Sequence, residues 1–131
     1  MREPMRRDEW CRRLFASIDA KDVREFLGFL TPDARFRYGS APVIEGEAAI
    51  AQALTQFFAG VASLSHRVHE LWETPGHIIC RGEVTYRRPA GGSVRIPFCN
   101  VLTTRGEKIA VYDIYLDPTP LTAHGQAAAD A

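Results

Sequence analysis

Three runs in the second half of the chain, residues 77–88, 93–104 and 108–117, alternate apolar and polar side chains and are separated by Pro89-Ala90-Gly91-Gly92 and Arg105-Gly106-Glu107. Period-two alternation broken by proline- and glycine-containing turns predicts a long antiparallel meander with one face apolar. Such a face has to be covered. The helical patterns that precede it supply a cover, and a curved sheet wrapped on helices encloses a concavity able to hold a small molecule.

The chain of 131 residues has room for one domain and one core. Sixteen basic residues balance sixteen acidic ones, so the long-range field that gathers nucleic acid or anionic lipid is missing. No nucleic-acid or membrane partner is expected. No apolar run is long enough for a signal peptide or a membrane span, and Glu3, Asp8 and Glu9 interrupt the arginines near the start, so a cytoplasmic location is expected. The three cysteines, Cys11, Cys80 and Cys99, are odd in number and widely spaced, which suggests neither a disulfide framework nor a zinc site. His66 and His69 differ by three positions and would point to opposite faces of a strand, so no metal is expected.

Trp10, Cys11, Leu14, Phe15 and Ile18 recur at helical spacing from Asp8 onward. Asp22 is placed to cap a second helix carrying Val23, Phe26, Leu27 and Leu30, which Thr31-Pro32-Asp33 ends. Residues 34–38 alternate as a short strand and 39–46 read as a loop. Ile50, Leu54, Phe57 and Phe58 share one stripe of a third helix whose start is acidic, and 64–72 alternate as a strand before the turn Glu73-Thr74-Pro75-Gly76. The predicted fold class is α+β. A curved antiparallel sheet, in the order helix, helix, strand, helix, four strands, wraps on three helices into a cone with a central pocket. Residues 1–121 form the single domain and 122–131 a small, polar tail.

That order, with the strings Leu30-Thr31-Pro32-Asp33-Ala34-Arg35-Phe36, Pro97-Phe98-Cys99-Asn100-Val101, Gly106-Glu107-Lys108-Ile109 and Tyr112-Asp113-Ile114-Tyr115-Leu116-Asp117-Pro118, resembles the nuclear transport factor two-like superfamily and its SnoaL-like branch. Ketosteroid isomerases and limonene epoxide hydrolases are related to that branch. The resemblance implies the fold more strongly than the chemistry. Where the isomerases carry a base, a strand acid and a helix tyrosine, this chain has Tyr38, Cys99 and a position near Leu14. Where the hydrolases carry a last-strand acid it has Ile114, and Arg81-Gly82-Glu83 has the shape of their strand pair, with glutamate for aspartate.

The facing implied by these related folds puts Leu64, His66, Glu70 and Trp72 on the concave side, with Arg95, Pro97, Cys99 and Val101 from the next strand and Tyr112, Ile114 and Leu116 from the last. Of Phe36 and Tyr38 near the mouth, one is expected to point inward. Arg81 and Glu83 enter the pocket in one register of their hairpin and leave it in the other. Asn100 is expected to bond across the convex face. His66 is the candidate proton carrier, because imidazole titrates nearest neutrality, with Tyr38 or Tyr112 donating to a developing oxyanion. The competing role for His66 is that of a histidine bonded to backbone, and for Cys99 that of a small core side chain rather than a nucleophile.

Three functions are compatible with these residues. One is an enzyme performing cofactor-independent acid/base chemistry (cyclisation, isomerisation, dehydration or epoxide opening) on an apolar substrate. The second is a non-catalytic binder of a hydrophobic ligand, and the third a structural dimerisation module. A homodimer through the outer face of the sheet, around Asp113, Tyr115 and Asp117, is expected from the related folds.

Overall fold

The computed structural model describes residues 6–122. Helix α1 (Arg7–Asp19) turns Trp10, Cys11, Leu14 and Phe15 inward, and a sharp corner leads to α2 (Val23–Leu27). The corner is tied twice. Asp22 Oδ1 accepts from the Glu25 N–H at 3.0 Å, capping α2, and Lys21 Nζ donates to the Val61 carbonyl at 2.7 Å. Strand β1 (Leu30–Tyr38), the short β2 (Ile44–Glu45) and helix α3 (Glu47–Ala59) follow, then β3 (Ser63–Thr74), β4 (His77–Arg87), β5 (Ser93–Arg105) and β6 (Lys108–Tyr115). A last helical turn covers 119–122, and residues 1–5 and 123–131, the latter read from sequence as tail, lie outside the described residues.

The sheet order is β2-β1-β6-β5-β4-β3, and the α+β class holds with two amendments. The sheet is mixed, because β1 lies parallel to β6, and the predicted loop contains β2, which pairs Ile44 with Phe36 at the sheet's edge. Thr31-Pro32-Asp33 does not stop a helix. It lies within β1, where the register against β6 shifts between Leu30 and Arg35, an irregular stretch that tolerates a residue without an N–H. The concave face and the three helices share one contiguous core that includes Leu14, Phe26, Ile50, Ile78, Ile96, Leu102 and Ile109.

Two register features decide what faces the cover. Across the β4–β5 hairpin, Cys80 pairs with Asn100, Gly82 with Phe98 and Val84 with Ile96, while Asn100 and Leu102 pair with Ile114 and Tyr112 of β6. Directly paired residues share a face, so the even-numbered residues of β5 are inside. In β3 the pairing slips between Val68 and Glu70, so that Leu71 lies opposite the buried Cys80 and Trp72 opposite Ile79. This bulge reverses the alternation of the strand. Its partner is Gly82, where a β-carbon would overlap the Arg67 carbonyl oxygen.

Candidate functional site

The concave face and helices enclose an apolar cavity of about 200 Å³. From the sheet come Phe36 and Tyr38 of β1, His66 of β3, Val84 and Tyr86 of β4, Phe98 and Asn100 of β5, and Tyr112 and Ile114 of β6, with Leu116 just beyond. Ile18, Phe26, Leu54, Phe57 and Phe58 close it from the helices. Among these residues no side chain is a carboxylate, a lysine or an arginine.

Of the side chains singled out by sequence, His66, Tyr38, Tyr112, Phe36, Ile114 and Leu116 are brought together around this space. Phe36 and Tyr38 both line it, since residues two apart on a strand share a face. The remaining placements need correcting. Leu64 is core but does not border the cavity, and Trp72, beyond the β3 bulge, is 43% exposed. Pro97, Cys99 and Val101 lie on the outer side, opposite Glu83, Arg81 and Ile79, because the paired registers fix the parity of β5. Arg81 and Glu83 therefore stay out of the pocket. Arg81 bonds Glu70, with Nε to Oε1 at 2.7 Å, and Glu83 Oε1 lies 3.1 Å from His69 Nε2.

Asn100, Tyr86 and Phe98 were missed together, through the same parity. Asp19 was missed for another reason. At the last residue of α1, it reaches β3 and binds His66 twice: the His66 backbone N–H donates to Oδ2 at 2.9 Å, and Nδ1 donates to Oδ1 at 2.6 Å. A carboxylate can only accept, so the proton sits on Nδ1 and a neutral ring has its lone pair at Nε2. Nε2 has no hydrogen-bond partner among the described residues. Phe15 lies tilted against the ring and Phe98 meets it edge-to-face, with centroids 4.8 and 5.5 Å away. His66 also borders a groove between α1 and β3 that Asp19, Asp8, Arg12 and Glu70 share, so the dyad stands between the cavity and solvent.

Three phenols serve the same space. Tyr38 Oη and Tyr86 Oη are 3.0 Å apart, one donating to the other. Burial raises the pKa of each above the ordinary tyrosine value, and the bond from Tyr86 only partly offsets this at Tyr38. Tyr112 is fully enclosed, and burial raises its pKa well above the ordinary tyrosine value, with the neighbouring Asn100 amide acting in the opposite direction. No bond of acceptable geometry joins the two, and both Tyr112 Oη and Asn100 Oδ1 are left buried without a partner. Among the described residues no three histidine, cysteine or acidic side chains gather closely enough to hold a metal ion, and no helix is long and apolar enough to cross a membrane.

Several crystal structures share this architecture. TerC co-crystallised with polyporic acid superposes with a TM-score of 0.78 at 17% identity, covering 88% of this chain and 95% of that one. An NTF2-like protein of unknown function from Burkholderia pseudomallei gives 0.81 at 15% identity, covering 88% and 94%. A protein from Jannaschia named as a SnoaL-like polyketide cyclase gives 0.78 at 18% identity, covering 94% of each chain. At such identities the likeness is one of fold. Comparison with curated proteins returns no match. The profile of the SnoaL-like domain matches residues 11–112, most of the chain, and the chain therefore belongs to the SnoaL-like domain family.

Proposed function

We propose that the chain is a small-molecule enzyme that moves a proton on a compact apolar substrate without a cofactor. The observation that carries this reading is the pair of hydrogen bonds that His66 makes to the Asp19 carboxylate at the wall of a mostly apolar cavity. Asp19 is the positioning residue: it fixes the ring and its tautomer and stabilises the imidazolium that forms. His66 Nε2 is the base. It takes a proton from a carbon next to a carbonyl, the C–H electron pair moves to make the enolate, and a phenol of the Tyr38–Tyr86 pair donates to the developing oxygen. Returning the proton to another carbon is isomerisation; attack of the carbanion on a second carbonyl is cyclisation. The fold neighbour from Jannaschia named as a polyketide cyclase is consistent with the latter.

The test is hydrogen–deuterium exchange of enolisable ketones in deuterated water, followed by NMR. Exchange is expected with wild type and lost in His66→Ala; equal exchange by both proteins would overturn the assignment. A second reading, a non-catalytic binder, is favoured by the missing carboxylate in the lining, and predicts ligand affinity with no exchange. The outer face of the sheet, with Tyr115 and Trp72 exposed, is read as a two-fold contact between copies. Sedimentation of wild type beside Tyr115→Glu checks it.

A further inference from the structure

Besides His66 and the bonded Tyr38–Tyr86 pair, the polar side chains lining the cavity are Tyr112 and Asn100. Tyr112, 1% exposed, and Asn100, 2% exposed, stand on adjacent strands with Tyr112 Oη and Asn100 Oδ1 both unpartnered. Buried polar groups are ordinarily bonded; both atoms lie just behind the cavity surface, so a small shift of either side chain would offer a donor and an acceptor to a ligand. The amide oxygen only accepts. The phenol, held neutral by burial, is free to donate. A ketone or ether oxygen would satisfy Tyr112 and oppose its lone pairs to Asn100 Oδ1. An ammonium group would donate but would bring a charge into a cavity lined by no carboxylate. A hydroxyl both accepts and donates.

We propose that Tyr112 and Asn100 form a subsite for a single ligand hydroxyl, so that the molecule bound is a compact apolar phenol, enol or alcohol. This rests on reading the cavity as the ligand site. The size agrees: a dry cavity of about 150 Å³ in another protein accepts benzene, and about 200 Å³ leaves space for a ring with a short substituent.

Three probes of nine heavy atoms each separate the alternatives by calorimetry or ligand-detected NMR: 4-ethylphenol, 4-ethyltoluene and 4-ethylcyclohexanone. A site built to bond a hydroxyl discriminates strongly against an analogue lacking it, so 4-ethylphenol is expected to bind at least about tenfold more tightly than either of the others. In the double variant Tyr112→Phe/Asn100→Leu both orphans become apolar at similar shape, a change that proteins tolerate well. There the preference is expected to fall below about threefold with 4-ethyltoluene binding retained. Circular dichroism checks that the variant is folded; if it is not, Tyr112→Phe alone is expected to reduce the preference. Binding of all three probes without preference overturns the subsite and leaves the cavity reading intact, as does a ketone that matches the phenol. A preference that persists in the double variant overturns it too. No binding of any probe to wild type overturns both the subsite and the cavity as a ligand site, whereas loss of exchange activity with the preference intact falls on the His66 mechanism alone.

Discussion

Asp19, the last residue of α1, holds His66 of β3 at both the ring and the backbone, Oδ1 to Nδ1 at 2.6 Å and Oδ2 to the N–H at 2.9 Å. The two contacts fix the ring's tautomer as well as its place, and the first prediction concerns the tautomer. In Asp19→Asn the amide can keep the backbone bond through its oxygen while presenting an N–H to Nδ1. The ring proton then moves to Nε2, and the base is lost with little change in shape. Nitrogen-15 spectra of the imidazole are expected to change from the Nδ1–H to the Nε2–H pattern. Any proton-transfer rate should fall on the order of 10² to 10⁴-fold, as a wrong tautomer does in a related dyad. Unchanged ring shifts would mean that Asp19 does not set the proton.

Gly82 makes a second point of control, because the β3 bulge opposite it approaches where a side chain would stand. The overlap in Gly82→Ala is with the Arg67 backbone, which cannot rotate away as a side chain would. A loss of upward of about 3 kcal/mol is expected in urea denaturation, in the range of severe core and backbone substitutions. A loss under about 1 kcal/mol would mean that the strands accommodate the methyl group and that the bulge is not rigid.

How far the sequence goes is visible in the same strands. The meander, the first and third helices and the alternation of Tyr112 and Ile114 in β6 follow from periodicity; Phe36 and Tyr38 alternate in the same way, so both point inward where only one is expected from sequence. The parity of β5 does not follow from periodicity, since apolar residues between 94 and 102 fall on both faces and the glycine-rich turn permits either register. A usable signal lay in the neighbouring strand: Arg81, Glu83 and Arg87 all belong to one face of β4, which makes that face the solvent side and forces Cys99 outward with Arg81. The β3 bulge left no comparable mark, because Gly82 reads as an ordinary weak strand residue until its partner is known. Asp19 was hidden by distance, at 47 residues from His66 and in a helix-ending position where an acid looks like a break.

The buried phenols predict an alkaline limit to stability. Burial raises the pKa of Tyr38, Tyr86 and Tyr112 in the folded chain, while in the unfolded chain they ionise near the ordinary value of about 10. Below that pH both states hold the protons and the stability is fully present. Above it the unfolded state releases them first, so stability is lost progressively as pH rises toward the folded values. Each enclosed phenol contributes a slope of about 1.4 kcal/mol per pH unit, with less from the half-buried Tyr38. Denaturation curves taken between about pH 9 and 11 should show this decline, and Tyr112→Phe should make it shallower by about one phenol's share. A slope equal to that of wild type would mean that Tyr112 ionises while folded.

Filling the cavity should separate stability from function. Ala53 of α3 lines it, and leucine there adds three carbons to free apolar space on a helix where leucine is a good former. At about 0.8 kcal/mol for each buried methylene, Ala53→Leu is expected to gain up to about 2 kcal/mol, less whatever strain the packing adds. In a domain of this size that is a rise of several degrees in Tm. The same change should weaken 4-ethylphenol strongly, because the occupied volume is no longer available, while leaving the Asp19–His66 bonds and the imidazole nitrogen shifts as they were. Stabilisation with undiminished binding would place the ligand elsewhere. Destabilisation would mean that the open volume does not lie beside Ala53 and that the helix and sheet are already in contact there. The predicted combination, a more stable protein that has lost its ligand, is what an unfilled cavity kept open at a cost to folding requires.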